Sequence, residues 1–539
     1  MSSWLMAQTL VRTLIAEGIT DAVLAPGSRN AALSILLDRA ARSGQIRLHV
    51  RVDERSAGFL ALGLGKASGR PAPVVCTSGT AAGNLLPAAM EARHAGVPWL
   101  ALTCDRPAFR VGSGASQTTD QPGIFGVFAV ASQRLSSSSG RPRHWAAGLR
   151  RTLGAARGTR TGRPGPAQLN VEFSEPLLAE PGHDEPAPPP AVALPGRGPG
   201  PAHALKAGPR SVVLAGDATP QTGARARAFA EAAGLPLLAE PSSNARGGAN
   251  AISCYRLLLG AGLRPGIERV VTFGHPTLSR PVAALLSDPG VEHIVVAEHA
   301  DWPDVGASAS VVCDGVAWSG PPAGRDWLEG WRAQDRALRE RLDAELTGLS
   351  GYTLAAEVVA ATGAGENLVF GSSNPIRDAD LAPIASAPAT AWANRGLAGI
   401  DGTIATAVGI GLATDAPTTL LLGDLTFTHD LGSLAFPPGE PRPRLRIVVA
   451  DDDGGSIFHT LEQGGPDYAD SFERVFAVPH GLDLGAIAAG FGHPVTRVGR
   501  RGELRAALRR PIGGVEVVVV GIGRGERRAT DAWLATLAG

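Results

Sequence analysis

Two acidic turns, each placed directly after an apolar run, constrain the fold of this chain more than any other feature. Gly423 and Asp424 close the run TTLLLGD, and the turn DDDGG at 451–455 closes the run RLRIVVADDDGG. The intervening segment THDLGSLAF has apolar residues at helical spacing, so the pattern predicts a βαβ unit with parallel strands. Both turns are therefore expected at the carboxyl edge of one sheet, which is where open α/β sheets bind ligands.

The residues in these turns suit a metal ion that is bound to phosphate. Asp424 and Asp452 offer carboxylates from adjacent strand ends, and the backbone carbonyl of Gly454 adds a third oxygen, which together form a hard site for Mg²⁺. Phosphate oxygens would complete the coordination, so a diphosphate is the expected ligand. Acidic turns are also common as ordinary surface loops, so this interpretation needs an independent signal.

The independent signal lies near the amino terminus. The strand LHVRV leads into the acidic segment DER at 53–55, and a helix with apolar residues at Leu60 and Leu64 begins there, which places Glu54 at a strand-to-helix junction. The helix dipole favours the ionised form of a carboxylate at this position. An isolated acid in a first turn usually does no more than stabilise its helix. Glu54 therefore becomes a candidate for chemistry only together with the motifs around it.

Those motifs carry a resemblance over the whole chain. They are APGSRN, VDERSAGFLALGLGKASG, TSGTAAGN, TCDRP, ASQTTDQPGIFG, SSNPIRD, NRGLAGIDG, GDLTFTHDLGSL and DDDGGSIFHTLEQG. In this order they resemble the MenD family of thiamine-diphosphate enzymes, which act in menaquinone biosynthesis. The stretch at 179–351 is the part of the chain that is least similar to the family.

The resemblance implies the fold, the reaction and the cofactors. The expected fold is α/β, with three doubly wound parallel-sheet domains of the thiamine-diphosphate enzyme type. The expected reaction is the decarboxylation of 2-oxoglutarate followed by conjugate addition of the succinyl carbanion to isochorismate. The expected cofactors are thiamine diphosphate and Mg²⁺, with Mn²⁺ as the other metal. The family builds each active site from two subunits, so a homodimer or homotetramer is expected.

The resemblance also assigns roles to individual residues. Glu54 is the expected catalytic residue, since thiamine diphosphate needs a carboxylate that faces N1′ of its aminopyrimidine and holds the proton there. The metal ligands are expected to be Asp424, Asp452 and the carbonyl of Gly454, with aspartate where most of the superfamily has asparagine. The residues expected to bind the cofactor are Glu54, Gly423, Asp424, Leu425, Asp452, Gly454, Gly455 and Ile457.

Arginines decide the expected substrates. Four of them lie in turns rich in Gly, Ser, Asn or Pro, and guanidinium groups bind carboxylates with two parallel hydrogen bonds. A loop arginine is often only a surface residue, but both family substrates are dicarboxylates. The resemblance places Ser28, Arg29, Arg106, Ser116 and Gln117 at isochorismate, Arg377 and Arg395 near the succinyl carboxylate, and Ile457 and Phe458 in the wall of the reaction chamber.

Length and composition predict three domains. A chain of 539 residues is too long for one core and suggests about three domains. The segment at 179–209 is rich in Pro and Gly and is predicted to be a linker. The predicted boundaries are 1–180 for a pyrimidine-binding domain, 205–345 for a central domain and 352–539 for a diphosphate-binding domain.

Charge and cysteine content narrow the function classes. The formal net charge is +0, so the chain has no excess of basic residues of the kind that binds nucleic acid. The sequence also lacks an apolar run of about twenty residues, which a membrane-spanning helix would need. The amino terminus lacks the features of a secretion signal, so a cytoplasmic location is expected. The 4 cysteines have no CxxC spacing, which favours buried reduced thiols.

Two alternatives stay open at this point. One is a different thiamine-diphosphate-dependent decarboxylase or carboligase that uses another 2-oxo acid. The other is a nucleotide-binding or regulatory protein that kept the fold without the chemistry, although the presence of Glu54 argues against it.

Overall fold

A computed structural model describes residues 3–178, 196, 198 and 200–537. Most of the predicted linker, namely 179–195 with 197 and 199, lies outside the described residues, as do the first two and last two positions of the chain. The chain forms two compact units. The first unit comprises Met1–Arg197, Asp401–Asp415 and Asp430–Pro443, and the second comprises Gly198–Ile400, Ala416–His429 and Arg444–Gly539.

The first unit contains a sheet of 6 parallel strands in the order β2-β1-β3-β4-β6-β5. The central strands are buried along their whole length, as their continuous apolar runs predict for a sheet covered on both faces. The strands are β1 Asp21–Leu24, β2 Arg47–Val50, β3 Pro73–Cys76, β4 Trp99–Asp105, β5 Ala131–Ser136 and β6 Pro166–Glu172. The α-helices are Ser3–Ala16, Ala31–Arg42, Glu54–Ser68, Thr80–Gly83, Leu86–His94, Pro142–Ala156 and Thr403–Thr414, with 3₁₀ turns at Ala108–Arg110, Gly126–Phe128 and Leu431–Leu434.

Two helices of this unit, Glu54–Ser68 and Thr403–Thr414, approach so closely that only glycine fits between them. A Cβ atom at Gly63 would lie 2.2 Å from the carbonyl oxygen of Thr406, and one at Gly409 would lie 2.4 Å from the carbonyl oxygen of Leu60. Glycine therefore sets the distance between the helices.

The amino terminus of the helix Thr403–Thr414 is capped by a side chain from another segment. Asp430 accepts hydrogen bonds from the backbone amides of Ile404 at 2.8 Å and Ala405 at 3.1 Å. Burial raises the pKa of Asp430 to about 6, because these hydrogen bonds offset only part of its lost solvation.

The second unit contains two large parallel sheets. One has 5 strands in the order β12-β11-β10-β8-β9, and the other has 6 strands in the order β15-β14-β16-β17-β19-β18; a third pair joins β13 to β7. These strands are β7 His203–Lys206, β8 Ser211–Ala215, β9 Leu237–Ala239, β10 Arg269–Phe273, β11 Glu292–Val296, β12 Ala309–Cys313, β13 Val316–Ser319, β14 Asn367–Phe370, β15 Thr390–Ala393, β16 Thr418–Gly423, β17 Leu445–Asp451, β18 Val495–Val498 and β19 Val515–Gly521.

Helices connect these strands, as the alternation of apolar runs and helical segments predicts. The α-helices are Pro220–Ala233, Tyr255–Leu258, Arg280–Leu286, Arg325–Glu345, Gly351–Ala361, Asn374–Ala379, Asp424–His429, Ala469–Phe472, Leu484–Gly490, Arg501–Leu508 and Arg527–Thr536. Short π or 3₁₀ turns occur at Leu259–Leu263, Arg264–Gly266, Ser456–Thr460, Glu462–Gly464, Pro466–Tyr468 and Glu473–Ala477.

The α/β fold class with parallel sheets is confirmed. Each predicted domain contains one of the large sheets, while the domain boundaries themselves stay a prediction. No helix among the described residues is long and apolar enough to cross a membrane. All four cysteines are free thiols, with Cys76, Cys104 and Cys254 buried and Cys313 half-buried.

One detail of the βαβ unit differs from the prediction. β16 and β17 are parallel neighbours, as expected. The helix after β16 spans only Asp424–His429, and Leu431–Leu434 forms a 3₁₀ turn instead of continuing through the predicted segment THDLGSLAF. Asp430 interrupts the helix, since its backbone has a φ of −118° and a ψ of 27° and its side chain is bound to other backbone amides.

Candidate active site

The acidic turns of the second unit lie side by side at one edge of its six-stranded sheet. Gly423 at the end of β16 pairs with Ala450 near the end of β17, so Asp424 and Asp451 leave the sheet at the same level. This arrangement follows from the parallel direction of the two strands. The carboxyl edge predicted to bind a ligand is therefore where the acids collect.

Asp424 is the most constrained of these acids. It is 2% exposed, and its Oδ1 accepts a hydrogen bond from the amide of Leu425 at 2.6 Å, while Oδ2 accepts one from the amide of Gly454 at 2.8 Å. Burial raises the pKa of Asp424, and the amide bonds and His480 oppose that shift. The carboxylate is held in one orientation by donors from both turns.

His480 contributes a further contact to this carboxylate. Its Nε2 lies 3.2 Å from Oδ2 of Asp424. Its Nδ1 accepts a hydrogen bond from the amide of Leu482 at 3.0 Å, so in the neutral ring the proton is on Nε2 and is donated to Asp424. The ligand atoms of Asp424, Asp451 and His480 all lie within 4.8 Å of one another, which makes them a possible metal-binding group among the described residues. Sequence reasoning assigned no role to His480 or Asp451.

The side chain of Asp452 has a different hydrogen-bond partner from that of Asp451, namely the side chain of Ser456. Burial and the negative charge of Asp424 raise the pKa of Asp452 to about 7. Burial and Asp424 also raise the pKa of Asp451. Asp424, Asp451 and Asp452 thus lie close together, and the repulsion between their negative charges disfavours ionisation of all three at once. A bound divalent cation would offset that repulsion. The donor set and its charge fit the metal ion expected from the sequence.

The geometry of the DDDGG turn depends on its glycines. Gly454 has a φ of 137° and a Cβ there would lie 2.3 Å from the carbonyl oxygen of Ala477. Asp453 also has a positive φ, of 57°, and its Oδ1 accepts hydrogen bonds from the amides of His480 at 3.0 Å and Gly481 at 2.8 Å. These contacts fix the conformation of the turn, and they hold the backbone of His480 where its side chain reaches Asp424.

A cavity of about 450 Å³ opens beside these turns within the second unit. Its size is in the range of small-molecule sites. Asn374, which sequence reasoning did not single out, also lines it and donates a hydrogen bond to Oγ of Ser456 at 2.7 Å. The walls contain every residue of this unit that was predicted to bind the cofactor, with Phe458 in addition: Gly423, Asp424, Leu425, Asp452, Gly454, Gly455, Ile457 and Phe458.

The two substrate arginines predicted in this unit lie near each other. Arg377 is on the helix Asn374–Ala379 and donates to the carbonyl of Ser373 at 3.0 Å. Arg395 follows β15 and is 2% exposed. Burial lowers the pKa of Arg377, and the positive charge of Arg395 lowers it further. Two cations held this close form a local field that favours an anionic ligand.

Glu54 belongs to the first unit. It is the first residue of the helix Glu54–Ser68, and Asp53 caps that helix by accepting a hydrogen bond from the amide of Arg55. Asn84 donates from Nδ2 to Oε2 of Glu54 at 3.4 Å. The carboxylate is half-buried and lies at the positive end of the helix dipole, as the sequence predicts.

The first unit also brings together two of the predicted arginines. Arg29 is 7% exposed and donates to the carbonyl of Phe173 at 2.9 Å. Burial lowers the pKa of Arg29, and the charge of Arg106 lowers it further. The buried Nε of Arg106 has no hydrogen-bond partner among the described residues. An unpaired guanidinium donor next to a second arginine suits a carboxylate ligand.

The remaining predicted residues of this unit are on exposed loops. Ser28, Ser116 and Gln117 are exposed. Gln117 has a φ of 54°, and its carbonyl accepts a hydrogen bond from Oγ of Ser78 at 2.7 Å. The loop backbone is therefore fixed at this point while the side chains stay accessible.

Comparison with known proteins agrees with these features. Residues 6–124 match the family described as thiamine pyrophosphate enzyme, N-terminal TPP binding domain. The chain is 49% identical to a protein of Kineococcus radiotolerans over 95% of this chain and 94% of the relative, and 46% identical to one of Nocardioides sp. over 98% and 97%. A protein of Paenarthrobacter aurescens is 43% identical over 98% and 95%. All three are named 2-succinyl-5-enolpyruvyl-6-hydroxy-3-cyclohexene-1-carboxylate synthase.

This chain belongs to that synthase family. The synthases are thiamine-diphosphate enzymes, so the cofactor expected from the sequence is confirmed. The roles of individual residues in this member of the synthase family stay predictions. The requirement for Mg²⁺ or Mn²⁺ also stays a prediction.

Proposed function

We propose that this chain decarboxylates 2-oxoglutarate and transfers the succinyl unit to isochorismate, yielding 2-succinyl-5-enolpyruvyl-6-hydroxy-3-cyclohexene-1-carboxylate for menaquinone biosynthesis. One observation carries the proposal: a chain similar to these synthases from end to end has a cavity walled by the acidic turns that a metal-bound diphosphate requires. Thiamine diphosphate, when bound, supplies the electron sink for decarboxylation and carbon–carbon bond formation. The residues below supply binding, orientation and proton control.

Asp424, Asp452 and the carbonyl of Gly454 are proposed to hold Mg²⁺ or Mn²⁺, and the metal would hold the diphosphate. Burial and, after it, the negative charge of Asp424 raise the pKa of Asp452, and a cation bound to both carboxylates would stabilise their ionised forms. His480 donates to Asp424 and would orient it as a ligand, in the manner of outer-shell partners in other metal sites. Asp451 lies close enough to Asp424 and His480 to be a competing ligand.

Glu54 is proposed to face N1′ of the aminopyrimidine and to hold a proton there. The exposure of Glu54 supports this role, because the residue is only half-buried and a ligand can reach its carboxylate. Asn84 donates to one oxygen at 3.4 Å, which leaves the other available. Proton transfer by a positioned group of this kind contributes roughly 10²- to 10⁴-fold to turnover.

The arginine pairs are proposed to divide the two substrates between them. Arg29 and Arg106, with Ser28, Ser116 and Gln117, would bind isochorismate, and Arg395 with Arg377 would bind the distal carboxylate of 2-oxoglutarate. In each pair, one guanidinium lies close enough to the other to lower its pKa, while Glu175 beside Arg29 and Asp378 beside Arg377 offset part of the positive charge. Ile457 and Phe458 would cover the reacting carbons with apolar surface.

A homodimer is proposed as the smallest active form, with a homotetramer as the larger one. This proposal comes from the family, in which residues matching Glu54 and the acidic turns meet from different subunits. The location in the cytoplasm also stays a prediction.

Donor selectivity tests the proposed function. The purified enzyme is assayed with thiamine diphosphate, Mg²⁺ and isochorismate, and kcat/KM is measured for 2-oxoglutarate and for pyruvate. Pyruvate lacks the distal carboxylate, and a lost charged contact costs about 1.5–3 kcal/mol, so 2-oxoglutarate should be preferred by roughly ten- to more than a hundredfold. Arg395→Ala should erase most of the preference. Efficient turnover of pyruvate without use of isochorismate would place the chain with another class of thiamine-diphosphate decarboxylase.

A further inference from the structure

The five-stranded sheet of the second unit also presents polar groups at its carboxyl edge. Glu240 directly follows β9, and Thr277 lies in the loop after β10. Because the strands of this sheet are parallel, both residues emerge at the same edge.

Glu240 fixes the backbone of the loop that carries Thr277. It is 1% exposed, and its Oε1 accepts hydrogen bonds from the amides of Thr277 at 3.0 Å and Leu278 at 2.9 Å. A buried carboxyl that binds two successive amides leaves the loop little freedom. The position of Thr277 is therefore set by a contact within the sheet edge.

Thr277 in turn holds the guanidinium of Arg395. Its Oγ1 accepts hydrogen bonds from Nε at 2.9 Å and from Nη2 at 2.7 Å, and its carbonyl accepts a longer one from Nη2 at 3.3 Å. Thr277 thus occupies the Nε and Nη2 edge of the planar group. None of the hydrogen bonds within the described part of the chain uses Nη1 of Arg395, so the orientation imposed by Thr277 decides where this donor points.

The surrounding charges make this orientation consequential. The charge of Arg395 lowers the pKa of Glu240, although burial raises it overall. The charge of Arg395 also lowers the pKa of Arg377. The guanidinium of Arg395 is therefore close enough to a carboxyl group and to a second arginine for its charge to change the pKa of both.

We propose that Thr277 is a positioning residue for 2-oxoglutarate: it clamps one edge of the Arg395 guanidinium so that Nη1 meets the distal carboxylate of the substrate. This inference rests on the proposed function, because it assumes that Arg395 binds that carboxylate. The hydroxyl of Thr277 would contact Arg395 and not the substrate. It therefore affects the binding of one substrate and leaves the bond-forming chemistry to other residues.

The test compares Thr277→Val with Thr272→Val. Both changes replace a hydroxyl by a methyl group. Thr272 lies in β10 and its hydroxyl contacts Nε2 of His293 at 2.9 Å, so Thr272→Val controls for a lost hydrogen bond in the same sheet. Thr277→Val should raise KM for 2-oxoglutarate about five- to thirtyfold, with kcat within about threefold and KM for isochorismate within about twofold of the wild type.

Two further variants complete the test. Thr277→Ser keeps the hydroxyl oxygen that accepts from Arg395, so its KM for 2-oxoglutarate should stay within about threefold of the wild type. Thr277→Ala removes Oγ1 without adding bulk and should behave like Thr277→Val, so the test stands if the valine variant does not fold.

Different results overturn different statements. If Thr277→Val and Thr277→Ala match Thr272→Val, or if KM for both substrates and kcat change together, Thr277 does not position Arg395 for 2-oxoglutarate. If the wild-type enzyme turns over pyruvate and not 2-oxoglutarate, the proposed function fails, and this inference fails with it.

Discussion

Replacing Glu54 by glutamine should separate catalysis from folding. Glu54 is the first residue of its helix, and a carboxylate there contributes about 0.3–1 kcal/mol through the helix dipole. Its only described side-chain hydrogen bond is the long one from Asn84 at 3.4 Å, and the carbonyl oxygen of glutamine can accept it equally well. The structure therefore predicts a loss in Tm of no more than about 1–3 °C.

The expected loss of turnover is far larger. A proton-transfer group contributes roughly 10²- to 10⁴-fold, which corresponds to about 3–5 kcal/mol of transition-state stabilisation. Glu54→Gln should lose this much in kcat while its Tm still rises on addition of thiamine diphosphate and Mg²⁺.

A neighbouring acid provides the matched control. Asp53 makes local contacts with Arg55 and Ser56, and asparagine is as good an N-cap as aspartate. Asp53→Asn removes one carboxylate from the same helix start and should keep kcat within about threefold of the wild type. The reasoning would be refuted if Glu54→Gln kept near-normal turnover in folded, cofactor-bound enzyme.

Three further predictions concern the metal, the substrates and pH. Asp424→Ala or Asp452→Ala should abolish the rise in Tm on addition of thiamine diphosphate and Mg²⁺, because the diphosphate would face uncompensated carboxylates; a variant that kept the full rise would not have lost a ligand. Arg395→Ala should lower kcat/KM mainly through 2-oxoglutarate and Arg29→Ala mainly through isochorismate, each by roughly ten- to a hundredfold, and steady-state kinetics with either substrate varied would expose the opposite pattern. Burial, opposed by Arg395, raises the pKa of Glu240 from 4.5 to about 8. The folded state therefore holds a proton that the unfolded chain releases, and this stabilising contribution is lost as pH rises from about 4.5 to 8, by an amount on the order of 3–5 kcal/mol. The Tm of Glu240→Gln relative to the wild type should thus increase between pH 5.5 and 8.5, and a constant difference would contradict the assignment.

The sequence predicts the strand ends well because the physical signals there are local. A buried parallel strand must be apolar along its length, so the change from TTLLL to Gly423 and Asp424 marks its end without reference to any other part of the chain. The start of the helix at Glu54 is equally local, since Asp53 is a strong N-cap. Parallel strands then bring the acidic turns to one edge.

Contacts between distant residues could not be predicted in the same way. His480 lies 56 positions from Asp424, and Thr277 lies 118 positions from Arg395. No spacing rule connects such pairs, because their distance is set by how loops leave the sheets. Only the folded structure identifies His480 as a partner of Asp424 or explains how a buried arginine is oriented.

The helix after β16 illustrates how tertiary contacts override a periodic pattern. The apolar spacing in THDLGSLAF is compatible with a helix, but Asp430 leaves helical geometry and places its carboxyl group at the amino terminus of another helix. Capping two backbone amides offsets the lost helical turn. Hydrophobic periodicity alone does not predict that a polar side chain such as Asp430 will cap a distant helix.

The measurement that tests the central claim most directly is the fate of isotopic label from 2-oxoglutarate. The purified enzyme is incubated with thiamine diphosphate, Mg²⁺, isochorismate and 2-oxoglutarate labelled with ¹³C either at C1 or at C5, and the product is analysed by mass spectrometry. The proposed function predicts that C1 label leaves as carbon dioxide and that C5 label is retained in a product that contains both substrates. A product without C5 label, or release of carbon dioxide with isochorismate left unchanged, would contradict it.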